Sequence, residues 1–108
     1  DIAVQIKDNL KNLLMTNHGE RLMLGDYGAD LLSLAFELTA EDADTAAARQ
    51  ILTATEKYMP FIELDTFEPS IEKSNEGNVI LSKIKVIYSV PSLALTNQVI
   101  EAIIFTAG

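Results

Sequence analysis

The stretch Val79-Ile80-Leu81-Ser82-Lys83-Ile84-Lys85-Val86-Ile87-Tyr88-Ser89-Val90 decides the fold class. Ile80, Ile84, Val86, Tyr88 and Val90 fall on one side of an extended chain, and Leu81, Lys83, Lys85 and Ile87 on the other. This period of two in a run rich in β-branched residues predicts a strand over 79–90, ended by Pro91-Ser92. Upstream, Ser74-Asn75-Glu76-Gly77-Asn78 reads as a turn that follows a second extended run, Phe61 to Ile71. Pro69 lies within that run, and a residue without an N–H cannot serve a fully paired central strand. Downstream, Gln98 to Thr106 reads as a last strand, with Ile100, Ala102 and Ile104 opposite Val99, Glu101, Ile103 and Phe105. That strand is apolar on both faces, so it needs cover on both sides or a partner at its edge.

Ahead of Pro60 the period is helical. Ile2, Ile6, Leu10 and Leu13 recur at helical spacing, and Gly19 reads as a left-handed terminator after Asn17-His18. A second helix is expected from Gly25-Asp26-Tyr27-Gly28, with Asp26 as N-cap and Tyr27, Leu31, Leu34 and Leu38 as its buried stripe. A third is announced by Thr39 with Asp42 and an acidic first turn (Glu41, Asp42, Asp44). Its face is Ala47, Ile51, Ala54 and Tyr58, and Pro60 stops it. Helices first and strands last predict an α+β domain: about three N-terminal helices packed on a C-terminal antiparallel sheet of about three strands. The 108 residues suit a single domain, 1–108.

Composition narrows the function. The chain is 48% hydrophobic and 22% charged, ordinary for a folded domain. Eight basic against sixteen acidic residues give a net charge of −8, so a phosphate backbone is repelled and nucleic-acid binding is not expected. The absence of Cys excludes disulfides, thiol catalysis and Cys-ligated metals. No run approaches the ~20 apolar residues of a membrane span, and Asp1-Ile2-Ala3-Val4 does not read as a secretory leader, so cytoplasmic synthesis is expected.

Few residues could carry chemistry. His18 is the only histidine, which argues against zinc, a serine triad lacks its Gly-x-Ser-x-Gly elbow, and the plainer reading of His18 is an exposed helix-end residue. Glu20 with Asp26 or Asp30 brackets a turn and could form the acid/base pair of a glycosidase. Against this, Asp26 suits an N-cap, Glu20 can pair with Arg21, and the chain has no Trp for a sugar platform. The acidic runs 41–44 and 63–68 lack the alternating ligand loop of a calcium site. No cofactor, metal or small-molecule substrate is expected.

The ordered set Leu13-Leu14-Met15-Thr16-Asn17-His18-Gly19-Glu20-Arg21-Leu22-Met23, Asp26-Tyr27-Gly28-Ala29-Asp30-Leu31, Phe36-Glu37 and Tyr58-Met59-Pro60 resembles the baseplate wedge family of contractile-tailed phages. The same family supplies subunits to type VI secretion baseplates and phage-tail-like particles, and some relatives carry a lysozyme label. On this resemblance Thr16, Gly19, Glu20, Arg21, Asp26, Tyr27, Gly28, Phe36, Glu37 and Tyr58 are the motif positions. The family typically has Glu-Pro-Arg where this chain has Met59-Pro60-Phe61, so docking there would use burial instead of ion pairs.

The resemblance implies a structural role in a virion tail baseplate assembled in the host cytoplasm, or a cytoplasmic one in a secretion system. The expected partners are the wedge core proteins, through Met59, Pro60 and Phe61, and the tail sheath subunits. The sheath would be templated by β-augmentation on the last strand, with Ile100, Ile103, Ile104 and Phe105 supplying side chains. The alternatives are a peptidoglycan-cleaving enzyme that uses Glu20 and a homo-oligomeric adaptor.

Overall fold

In the computed structural model, residues 1–19, 25–34, 40–73 and 79–103 are described. Helix α1 spans Ile2–Met15, and the Asp1 carboxylate caps it by accepting the Ala3 N–H at 2.9 Å. Ile6, Leu10, Leu13 and Leu14 form its buried face, whereas Ile2, at the first turn, is exposed. Helix α2 spans Ala40–Tyr58 and buries Ala47, Ile51 and Ala54. It closes with the Met59 N–H on the Thr55 carbonyl at 2.8 Å, immediately before Pro60.

Three strands follow: β1 (Glu63–Lys73), β2 (Val79–Val90) and β3 (Leu95–Ile103). They form one antiparallel sheet in the order β1-β2-β3. The alternation read for β2 sets the layers. Ile84, Val86, Tyr88 and Val90 are buried against the helices, joined by Ile100 and Ala102 from β3. Burial also pushes the Tyr88 phenol above its ordinary value. Lys83, Lys85 and Ile87 face the other way, opposite Ile103, Glu101 and Val99. Pro69 sits in β1, which has no strand on its outer side among the described residues, a position that tolerates its missing N–H. After β2, a 3-10 turn at Pro91–Leu93 and a left-handed Ala94 (φ 55°) reverse the chain.

The expectation of about three helices is overturned: the described residues hold two α-helices. Where the second was expected, the chain makes one 3-10 turn, Leu31–Leu34. The reason is local. Gly28 and Asp30 have φ of 106° and 55°, which a right-handed helix cannot accommodate, and the apolar residues at helical spacing are spread over a turn. Asp26 is therefore no helix cap. The last strand also begins earlier than expected, with a bulge between Leu95 and Gln98 where Asn97 has φ 53°. The expected turn at 74–78, Thr39 as a cap and Leu38 lie outside the described residues.

Candidate functional site

The motif positions that are described converge on one junction, where the end of α1 meets the turn 25–30 and the last turns of α2. Thr16 ends α1 in an extended conformation (φ −91°, ψ 132°), and its hydroxyl donates to the Asn12 carbonyl at 2.6 Å. The turn is tied to that end by backbone: Ala29 N–H donates to Leu13 O (3.1 Å) and Asp30 N–H to Thr16 O (3.2 Å). Both bonds require Gly28 to lie against Thr16. A Cβ built on Gly28 would stand 2.7 Å from the Thr16 carbonyl carbon and 2.9 Å from Thr16 Cβ, so only glycine fits.

Side chains complete the tie. The Asp30 carboxylate accepts the His18 N–H at 3.1 Å and lies 3.6 Å from His18 Nδ1. His18 Nε2 meets the Gly28 carbonyl at 3.1 Å. His18 is exposed just past the end of α1, as expected, and its contacts also clasp α1 to the turn. The Asn17 side-chain oxygen accepts the Leu32 N–H at 3.1 Å, and Gly19 N–H donates to Gly25 O at 2.8 Å. From α2, the Gln50 amide nitrogen, turned toward the carbonyls, donates to Ala29 O (2.9 Å) and Asp30 O (3.0 Å).

At the other end of the turn, Asp26 pairs with Lys57 and accepts a hydrogen bond from the Tyr58 hydroxyl at 3.0 Å. These two donors, Lys57 first, hold the Asp26 carboxyl below its ordinary value, and the same pair holds the Lys57 ammonium above its own. Partial desolvation and the bond to Asp26 push the Tyr58 phenol up. Tyr27 and Tyr58 stack edge to face, ring centroids 4.8 Å apart.

Two concavities flank Tyr58. An open groove of about 630 Å³ runs beside α1, lined by Asp8, Asn9, Asn12, Tyr27, Met59 and Phe61. A half-open cavity of about 260 Å³ lies between α2 and the turn. Of the expected docking tripeptide, Met59 is buried and Phe61 exposed, both at the groove, while Pro60 is exposed beyond its lining. On β3, Ile100 faces the core, whereas Val99, Glu101 and Ile103 alternate on the other side, Ile103 about half exposed and also bordering a small hollow with Leu14 and Leu31. Glu20, Arg21, Phe36, Glu37, Ile104 and Phe105 lie outside the described residues.

As a catalytic pair, Asp26 and Asp30 are poorly placed. A general acid needs a raised pKa in an apolar pocket. Asp26 is exposed, lowered and paired with a cation, and Asp30 is spent on His18. Among the described residues no group of three or more His, Asp or Glu side chains could hold a metal ion. No helix among them is long and apolar enough to cross a membrane. Sequence reasoning missed Lys57 and Gln50, because their partners lie 20 or more positions away along the chain and no periodicity links them.

Comparison with known proteins agrees with this architecture. A crystal structure from Geobacter sulfurreducens, of a protein named as a tail lysozyme, superposes with a TM-score of 0.72 at 22% identity, over 100% of this chain and 96% of that one. A chain of the cryo-EM structure of the anti-feeding prophage baseplate superposes with a TM-score of 0.59 at 18% identity, over 94% of this chain and 69% of that one. Among curated proteins no sequence matches. At the level of sequence, the profile of the baseplate wedge protein gp25 family matches residues 1–90, which takes in α1, the Gly28 junction, α2 and strands β1 and β2. The chain belongs to the baseplate wedge protein gp25 family.

Proposed function

We propose that this chain, a baseplate component by its family, is a non-catalytic part of a contractile tail that docks on the wedge core and offers the β3 edge to sheath subunits. The observation that carries the reading is the contrast between the two edges of the sheet. β1 bears Pro69 and the charged residues Glu63, Asp65 and Glu68, devices that discourage further pairing. From Gln98 to Ile103, β3 has no proline and a single charged residue, Glu101. It has no strand on its outer side among the described residues, and it exposes Val99 and Ile103. The likeness to a chain of the anti-feeding prophage baseplate supports the same setting.

Magnitudes say how such a contact must work. Pairing along this stretch adds roughly one backbone hydrogen bond per residue, each worth about 0.5–1.5 kcal/mol net. Association costs about 4–15 kcal/mol, so the edge alone does not hold a partner. The remainder comes from burial of Val99 and Ile103, and from a second contact at the groove beside Phe61, which makes edge pairing effectively intramolecular.

The test mixes the purified chain with sheath subunits and scores ring or sheath nucleation. Nucleation is expected, and Ile103→Asp should abolish it while leaving the melt of the isolated chain nearly unchanged. Absence of binding to both sheath and wedge proteins would refute the proposal. The likeness to a protein named as a tail lysozyme motivates the competing reading, cell-wall cleavage through Glu20. Incubation with purified peptidoglycan decides it: no turnover is expected, and turnover lost in Glu20→Gln would establish the enzyme.

A further inference from the structure

The cavity between α2 and the turn 25–30 plays no part in the docking contacts above. Its volume, about 260 Å³, falls below the ~300–1,000 Å³ usual for small-molecule sites, so it holds one or two side chains and not a cofactor. Its walls are mainly apolar, formed by Gly28, Ala29, Ala54 and the ring of Tyr58.

The polar groups around it are already engaged, with one exception. Gln50 is spent on the Ala29 and Asp30 carbonyls, and the Thr53 hydroxyl donates to the Arg49 carbonyl at 2.8 Å. His18 is held by Gly28 and Asp30, and Lys57 with the Tyr58 hydroxyl is held by Asp26. Arg49 lines the same cavity, and among the described residues no carboxylate pairs with its guanidinium. In a chain of net charge −8, an exposed cation with no carboxylate partner among the described residues, beside an apolar hollow, is complementary to one kind of visitor.

We infer that this cavity receives an acidic–aliphatic segment of a partner polypeptide. A Glu or Asp of the segment meets the Arg49 guanidinium, and an adjoining aliphatic side chain fills the space between Ala29 and Ala54. Arginine suits this role because its planar fork takes a carboxylate through two parallel hydrogen bonds. The rest of the acidic surface repels such a segment, so Arg49 fixes where it lands. That the partner is a baseplate protein rests on the proposal above; the chemistry of the cavity does not.

The probe is a blocked tripeptide, acetyl-Leu-Glu-Leu-amide, compared with acetyl-Leu-Gln-Leu-amide, titrated into the ¹⁵N-labelled chain at low salt. Saturable shifts are expected at the Ala29, Thr53 and Ala54 amides, with the Glu peptide binding at least about fivefold more tightly, a gap that salt narrows. Arg49→Gln should erase the gap, and Arg49→Lys should keep part of it; Arg49 is exposed, so neither threatens the fold. Absence of shifts at these amides, or equal affinities for the two peptides in the unmodified chain, would overturn the inference. No tail protein enters this titration, so its outcome is separate from that of the sheath experiment.

Discussion

Replacing Gly28 by alanine isolates the contact on which the junction depends. The residue has φ 106°, and the new Cβ would press on the Thr16 carbonyl and lie 2.9 Å from Thr16 Cβ. Holding alanine at such a φ costs about 1–3 kcal/mol. Relieving the clash moves Gly28 off Thr16 and loosens the bonds from Ala29 to Leu13 and from Asp30 to Thr16, about 0.5–1.5 kcal/mol each. The total is roughly 2–6 kcal/mol. At about 4–8 °C per kcal/mol for a domain near this size, the midpoint of a thermal melt should fall by at least ~8 °C. Two internal controls separate the contributions. Gly19 shares a positive φ (89°) but has open space around its would-be Cβ, so Gly19→Ala carries the conformational cost alone. Gly25 has neither constraint, and Gly25→Ala should be neutral or slightly stabilising through the unfolded chain. Melts followed by circular dichroism, with urea titrations alongside, should therefore rank the losses Gly28 > Gly19 > Gly25. A Gly28→Ala protein as stable as Gly19→Ala would refute the close approach to Thr16.

Further expectations rest on other parts of the molecule. Thr55 is buried and its hydroxyl has no partner among the described residues, so Thr55→Val, nearly the same shape, should stabilise the fold by roughly 1 kcal/mol in a urea titration. The Asp26 carboxyl is held below its usual 3.8, so the pair with Lys57 adds stability that is present above that pH and lost as pH falls through the lower folded value. Asp26→Asn should accordingly flatten the acid side of the stability profile measured by urea midpoint. Ile100→Asp should unfold the isolated chain or depress its melt strongly, since Ile100 faces the core, whereas Ile103→Asp on the open face should not.

Much of the architecture was legible because it depends on local periodicity. The alternation of Ile84, Val86, Tyr88 and Val90 with Lys83, Lys85 and Ile87 gave both the strand and the side that faces the helices. The spacing of Ala47, Ile51 and Ala54 ahead of Pro60 marked α2 and its end. The segment 26–34 misled for a physical reason. Tyr27, Leu31 and Leu34 lie at helical spacing and do pack on the core, but the backbone N–H groups of Ala29 and Asp30 bond to Leu13 and Thr16. That choice is made by tertiary contact and leaves its only sequence trace in Gly28. The pairing of Asp26 with Lys57 and Tyr58 was invisible for the same reason, as was the burial of Met59 within a tripeptide that reads as a docking surface. The reading of β3 as apolar on both faces did not say which of its side chains are exposed, and that emerged only with the register, Ile103 opposite Lys83 and Ile100 opposite Val86.

The central claim is that β3 is an edge kept open for another polypeptide. Amide hydrogen exchange along Gln98–Ile103, measured with the chain alone and again with sheath subunits, tests it most directly. Alternate amides of this stretch that point away from β2 should exchange quickly in the isolated chain and become strongly protected in the mixture. Binding that leaves those amides exchanging at their original rate would contradict the account.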